Sequence, residues 1–385
     1  MKSLAQTIAR LQAFRAGQAP LINTDVDDRL SDLSNFGANP GALRSRFYIP
    51  HQLPQAAPLV VVLHGCTQTA AGYDHFSGWS ELADSEGFAL LFPEQQRANN
   101  ANLCFNWFVP GDIGRDGGEA LSIRQMVETF VLTHGIDRRR IFVTGLSAGG
   151  AMTAVMLSAY PDVFAGGAIL SGLPYGSAAT IPEAFESMRG DGGSSRLHLN
   201  GLVRGASTHK GPWPTVSVWQ GSADKTVDPS NAAAIIGQWL TVHGMHKTPA
   251  RTEIIDGHKR RVWSNSEGRV LIEEYIIAGM GHGAALKTTG DDGLGNAGPF
   301  MLNVGISSTR HIARFWGIVK SGENKAVRKV RAKPKAEIAT VEKLPKPHLV
   351  KTRPLDQKER IPPSSPGTGV RAVIEDALRK AGLMR

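Results

Sequence analysis

Ile141-Phe142-Val143-Thr144-Gly145-Leu146-Ser147-Ala148-Gly149-Gly150 is the stretch on which the reading of this chain turns. Ile141 to Val143 are β-branched or aromatic, an apolar run short enough for one buried parallel strand. Gly145 to Gly149 then spell G-x-S-x-G. A run of small residues follows, with Met152, Val155 and Met156 at helical spacing, and predicts a helix over Ala151–Ser158. Strand, tight turn and helix together form the context in which a serine is lifted clear of a sheet as a nucleophile. The glycine spacing has a steric reason. Side chains two residues before and after the serine would meet neighbouring backbone, so glycine is needed at both places. The competing reading is a Gly-rich β–α turn with a capping serine.

Working outward, Pro58 to Leu63 and Phe88 to Pro93 are continuous apolar runs of the kind found inside parallel sheets. Gly166 to Ser171 and Thr215 to Gln220 read the same way, Arg44 to Ile49 reads as an edge strand, and Arg251–Ile255, Arg260–Trp263 and Val270–Ile277 read as closing strands. Helices are predicted from about Ser77 to Glu86, over Glu119–His134, over Pro229–His243 and over Ile306–Trp316. Glu94 to Gly118 is a long loop, a length that in compact domains tends to be functional. Leu173 to Gly211 is rich in Gly and Ser and reads as a cap-like insertion with one short helix near Pro182–Met188. Alternating strands and helices predict an α/β fold with a doubly wound, mostly parallel sheet.

A serine hydroxyl at neutral pH needs a base to take its proton and a carboxylate to orient that base. In this fold class the partners follow in the order Ser, acid, His, on loops at the C-terminal ends of strands. Asp224, four residues past the Thr215–Gln220 strand, is the candidate acid. Asp228 is its rival, although before Pro229 it reads better as a helix cap. Of twelve histidines, His282 alone follows the last strand in a Gly-flanked loop and is the candidate base. His64 is a weaker one, at a position that usually shapes the oxyanion loop. Two backbone N–H groups must face the developing oxyanion. Ala148, after the serine, and Cys66, after His64-Gly65, supply them by position. A Cys66–Cys104 disulfide would tie the oxyanion loop to the loop carrying Trp107; the alternative is two buried thiols that never meet.

The chain has 385 residues, 41% hydrophobic and 20% charged, within the range of a soluble globular protein. Its net charge of +9 is unevenly placed. Residues 321–385 hold 16 Lys/Arg against 7 Asp/Glu, leaving 27 of each in residues 1–320. The basic excess therefore belongs to the tail, and polyanion contact through that tail is one expectation; a solvated linker is the other. The tail divides into a Lys/Pro-rich linker (321–366) and a short amphipathic helix within 367–385, with Val370, Val373, Ile374 and Leu378 on one side. Residues 1–34 read as an amphipathic helix and lead-in, built on Leu4, Ile8, Leu11 and Phe14. With no apolar h-region there, a cytoplasmic location is expected. No run is long enough for a membrane span.

Four stretches taken together resemble a known family: His64-Gly65-Cys66-Thr67-Gln68, Cys104-Phe105-Asn106-Trp107-Phe108, Gly145 to Gly150 and Gly279-Met280-Gly281-His282. They are similar to the polyhydroxybutyrate depolymerase-like esterases, relatives of feruloyl and acetylxylan esterases, and the match spans residues 40–320 of a catalytic domain read as 35–320. The resemblance implies an α/β-hydrolase fold and a Ser147–Asp224–His282 triad working without metal or cofactor. The implied reaction is hydrolysis of short-chain polyhydroxyalkanoate or related carboxylic esters. The resemblance further makes Trp107, Gln68 and Asn106 candidates for contact with substrate, Trp107 having packing against the elbow as an equal alternative. It also makes an extracellular or periplasmic location the alternative to a cytoplasmic one. Two other readings stand beside it: a feruloyl- or acetylxylan-type carbohydrate esterase, and a granule- or polyanion-binding protein acting through the tail.

Overall fold

The computed structural model describes residues 26–191 and 196–319. The N-terminal helix predicted on Leu4 to Phe14, the basic linker and the C-terminal helix lie outside them.

The scaffold is a ten-stranded sheet. Its strands are β1 (Ser31–Asp32), β2 (Arg44–Tyr48), β3 (Leu59–Leu63), β4 (Ala89–Glu94), β5 (Ile141–Leu146), β6 (Gly166–Leu170), β7 (Thr215–Gly221), β8 (Arg251–Ile255), β9 (His258–Ser264) and β10 (Val270–Ile277). The spatial order is β1-β2-β4-β3-β5-β6-β7-β10-β9-β8. From β4 to β10 all neighbours are parallel, while β1 and β2 at one edge and β9 and β8 at the other run antiparallel.

The apolar runs explain the middle of the sheet. All five residues of β3 are buried, and its side chains alternate between two cores. Leu59, Val61 and Leu63 join the cluster containing Ile123, Met152 and Trp239 from the helices Gly118–His134, Ala148–Ala159 and Ser230–His243. Val60 and Val62 join the opposite cluster with Trp79, Leu82 and Ile312, from the helices Trp79–Glu86 and Ser308–Phe315. Each such side chain contributes about 1.5–3 kcal/mol by leaving water. Two-sided burial is why the pattern is continuous rather than alternating.

Several expectations need correction. The helix expected from Ser77 to Glu86 starts at Trp79, and a separate helix that was not expected, Ala70–Ser77, precedes it across Gly78 with φ 71°. A Cβ there would sit 2.6 Å from Gly295 N, so tertiary contact favours glycine and the left-handed turn that stops the helix. Arg44–Tyr48 is not the outermost strand, because β1 pairs with it from the lead-in segment. The inserted segment carries a second helix, Arg196–Gly205, besides Ile181–Met188. It docks on the Ser230–His243 helix, where Gln238 Nε2 donates to Tyr175 O (2.8 Å) and Leu199 O (2.9 Å). Short strands β11 (Ala284–Leu286) and β12 (Met301–Asn303) pair separately after the histidine loop.

Candidate active site

The elbow is strained as its motif requires. Ser147 has φ 59° and ψ −118°, a conformation that residues with a Cβ seldom adopt. Close packing around it fixes the glycines. A Cβ on Gly145 would lie 2.4 Å from Gly149 O, and one on Gly149 would lie 2.3 Å from Leu63 O. Ser147 N donates to Leu170 O at 2.9 Å, pinning the turn to β6. The helix starts at Ala148, earlier than its apolar spacing suggests, so the free N–H groups and positive dipole end of its first turn lie directly behind the serine.

His282 comes from the loop between β10 and β11. Ser147 Oγ donates to its Nε2 at 2.9 Å, and its Nδ1 donates to Asp224 Oδ2 at 2.8 Å. The acceptor-only carboxylate fixes this tautomer. The Asp224 carboxylate is wholly buried and accepts three further bonds: Gln220 Nε2 on Oδ2 (3.1 Å), and Thr226 N and Val227 N on Oδ1 (2.9 Å each). Burial alone would push its pKa up, but His282 and those backbone N–H groups hold it below the usual carboxylate range. The arrangement is a hydroxyl hydrogen-bonded to a neutral imidazole whose far side is held by an ionised acid. That geometry suits nucleophilic acyl transfer.

Residues 44–259 match the family model described as Esterase PHB depolymerase. A poly(3-hydroxyalkanoate) depolymerase C from Paucimonas lemoignei is 45% identical over 292 residues, which cover 75% of this chain and 70% of that protein. This chain belongs to the PHB depolymerase esterase family. It is a carboxylic ester hydrolase. A feruloyl esterase B from Talaromyces funiculosus is 31% identical, covering 66% of this chain and 72% of that protein. An acetyl xylan esterase structure from Aspergillus awamori superposes with a TM-score of 0.64 at 24% identity, covering 75% of this chain and 99% of that one. That likeness shows the α/β-hydrolase fold alone.

In this family member the loop of residues 64–68 follows β3 and runs over the Ser147 turn. Gly65 lies so near that a Cβ on it would be 3.6 Å from Ser147 Cβ. Gly65 N donates to Gln68 Oε1 (2.8 Å), closing a turn around Cys66. Among the described residues, no acceptor takes the N–H of Cys66 or of Ala148. Cys66 and Cys104 form a disulfide, so the two thiols do meet.

The rival residues have other partners. His64 is buried. Its Nε2 accepts from Gln95 N (3.1 Å) and its Nδ1 donates to Gly65 O (2.8 Å), which occupies both ring nitrogens. Burial pushes its pKa down, consistent with a neutral, structural imidazole. Asp228 Oδ1 accepts from Ser230 N at 2.9 Å, at the start of the helix. The three expected substrate contacts are also engaged. Asn106 Oδ1 accepts from Asn100 Nδ2 (3.0 Å) and its Nδ2 donates to Asp112 (3.2 Å), which fixes the orientation of its carboxamide. The carbonyl end of Gln68 accepts from Gly65 N in the turn around Cys66. Trp107 is only 6% exposed and belongs to the apolar cluster with Ala148 and Met152, as its packing alternative describes.

Three contributors went unread in the sequence. Gln220, the last polar residue of an apolar strand, orients Asp224. Gly221 lets the acid loop meet the histidine loop; a Cβ there would be 2.3 Å from Met280 O. Glu119, fully buried, gathers Gln95 Nε2 (2.6 Å), Asn106 N (2.8 Å) and Asn99 Nδ2 (3.2 Å) behind the disulfide.

Proposed function

We propose that this enzyme hydrolyses short-chain polyhydroxyalkanoate esters through an acyl-enzyme formed on Ser147. The substrate class rests on the 45% identity to a poly(3-hydroxyalkanoate) depolymerase. The residue roles rest on the 2.9 Å and 2.8 Å bonds that join Ser147, His282 and Asp224. Ser147 Oγ attacks the ester carbonyl carbon while His282 Nε2 takes its proton. The Cys66 and Ala148 N–H groups receive the oxyanion, each worth about 2.7–4 kcal/mol of barrier. Collapse of the intermediate breaks the C–O bond, and His282 returns the proton to the departing hydroxyl. Water then attacks the acyl-serine with His282 as base, releasing the carboxylate. Asp224 keeps the imidazole in the correct tautomer and stabilises the imidazolium at each stage.

The Cys66–Cys104 bridge favours an oxidising compartment over the cytoplasm. Among the described residues no helix is long and apolar enough to cross a membrane. Polyanion contact through the basic tail concerns residues outside the described structure.

The test pairs wild type with Ser147→Ala on hydroxybutyrate dimers and trimers, methyl ferulate and acetylated xylan. Preferential turnover of the hydroxybutyrate oligomers, lost in the variant while circular dichroism is unchanged, is the expected result. Preference for ferulate or xylan acetate would transfer the chain to the carbohydrate-esterase reading. Undiminished turnover by Ser147→Ala would remove the serine mechanism.

A further inference from the structure

The catalytic residues occupy the C-terminal edge of the parallel strands, and a second feature occupies the opposite edge. A cleft of about 430 Å³ opens there, lined by Arg139, Arg140, Arg260 and Arg269 and by the rings of Phe142 and Trp316. Arg140 immediately precedes β5, whereas Ser147 immediately follows it. The strand's six residues therefore separate the cleft from the nucleophile by roughly 20 Å.

The charges in the cleft are only partly balanced. Arg260 is paired with Glu253 and Glu273. Arg139 has Asp137 at 3.3 Å, but its side chain is 90% exposed and free to reorient. Arg140 and Arg269 have no carboxylate partner among the described residues.

A second observation comes from Trp316. It is 8% exposed, and its Nε1–H is a buried donor with no partner among the described residues. Stacking on Phe142 (4.8 Å between centroids, 12° between planes) and on Trp79 (6.1 Å, 19°) fixes the indole plane, so it cannot turn to find an acceptor. A Cβ placed on Gly166 would lie 2.4 Å from Thr215 Oγ1 and 3.3 Å from Trp316 Cδ1. The hydroxyl and the pyrrole side of the indole thus flank the same buried point beside Gly166. Guanidinium groups recognise planar and tetrahedral oxyanions with paired N–H donors.

We propose that this cleft is a binding site for a small molecule carrying an oxyanion, carboxylate or phosphate, on an apolar body. The anion would lie between Arg140 and Arg269, with the apolar part against the aromatic rings. A volume of about 430 Å³ falls within the usual range for small-molecule sites. The site is independent of the ester bond cleaved at Ser147.

The experiment is isothermal titration of the full chain with benzoate, phenyl phosphate and inorganic phosphate. Saturable one-to-one binding of an aromatic probe, tighter than that of inorganic phosphate, is expected. Preference for benzoate or for phenyl phosphate separates a carboxylate from a phosphate ligand. Arg140→Ala combined with Arg269→Ala should abolish binding. Hydrolysis of p-nitrophenyl acetate should stay unchanged in that variant, which reports an intact catalytic edge. Two outcomes would overturn the site: no saturation by any probe up to roughly 10 mM, or affinity unaltered in the double arginine variant.

Discussion

Two arms converge on Ser147, and different physics holds each. The acid and histidine arm is stitched by backbone. Ser222 N donates to Ile277 O (3.0 Å), Ala223 N to Met280 O (3.0 Å), and Gly279 N to Ser222 Oγ (2.9 Å). Parallel pairing of β7 with β10 brings the two loops side by side, and Gly221 lets them touch. The arm proposed to hold the oxyanion pairs with no strand beyond the end of β3 among the described residues, and Thr67 N donates to Asn102 O (2.7 Å) in the neighbouring loop. A covalent bridge and a buried polar chain hold it instead, running Glu119–Gln95–His64–Gly65. An arm framed by strands needs only small residues at the crossing; an unpaired loop needs cross-links.

The proposed triad gives the sharpest way to break the first arm. Asp224→Asn keeps the shape and an Oδ1 acceptor for Thr226 and Val227, but offers an N–H to His282 Nδ1 and favours the wrong tautomer. Steady-state kinetics should show kcat lower by about 10⁴, while the new amide nitrogen facing the Gln220 Nε2 donor costs about 1–3 kcal/mol of stability. A drop of only a few-fold would remove Asp224 from its role.

On the other arm, Cys66→Ser with Cys104→Ser tests the covalent tie. The bridge spans 38 residues of sequence, a loop whose closure contributes roughly 3–4 kcal/mol through the unfolded state. Denaturant titration should find a loss of that order. Activity of the folded fraction should fall too, because the Cys66 N–H depends on the loop's position. Full stability with lowered kcat would assign the bridge to positioning alone.

Gly221→Ala returns to the stitched arm. The new methyl must displace Met280 O or Gly281 O, which would lie 2.3 and 2.5 Å away. Because the histidine follows directly, a shift near 1 Å is expected, with kcat/KM lower by about 10². Unchanged kinetics would show that the histidine loop tolerates movement and that the stitching is not what positions His282.

What the sequence revealed follows the same division. Parallel strands buried on both faces are continuous apolar runs, so the sheet's centre was readable, as were the elbow glycines and the order Ser147, Asp224, His282. The marginal strands were not, since two residues in β1 and three in β11 or β12 hold no periodicity. Gly78 looked like an ordinary helix residue because the contact that breaks the helix comes from Leu294 and Gly295, distant in sequence. Gln220 and Glu119 were hidden for a related reason. One ends an apolar strand and the other opens a helix as an acidic first-turn residue, and only the tertiary structure supplies their partners. Asn106 is a motif residue whose amide is oriented by its own loop, through Asn100 and Asp112, which its sequence neighbours did not reveal.

Glu119 is where the oxyanion arm has its smallest and most diagnostic effect. Burial pushes its carboxyl up to about 8 although three N–H groups donate to it, and nearby Asp112 adds to the rise. In the unfolded chain a glutamate titrates near 4.3. Between those values the folded state holds a proton that the unfolded state has released, so this group's stabilisation is fully present below about pH 4.3. It declines as pH rises through the window and is gone above about 8. Glu119→Gln cannot titrate. It also sets an amide nitrogen against one N–H donor, at a cost of about 1–3 kcal/mol. Chemical denaturation at a series of pH values from 5 to 9 should therefore find the variant less stable at pH 5, with the gap narrowing towards pH 9. Parallel profiles for the two proteins would mean that Glu119 stays ionised throughout and that its three donors outweigh its burial.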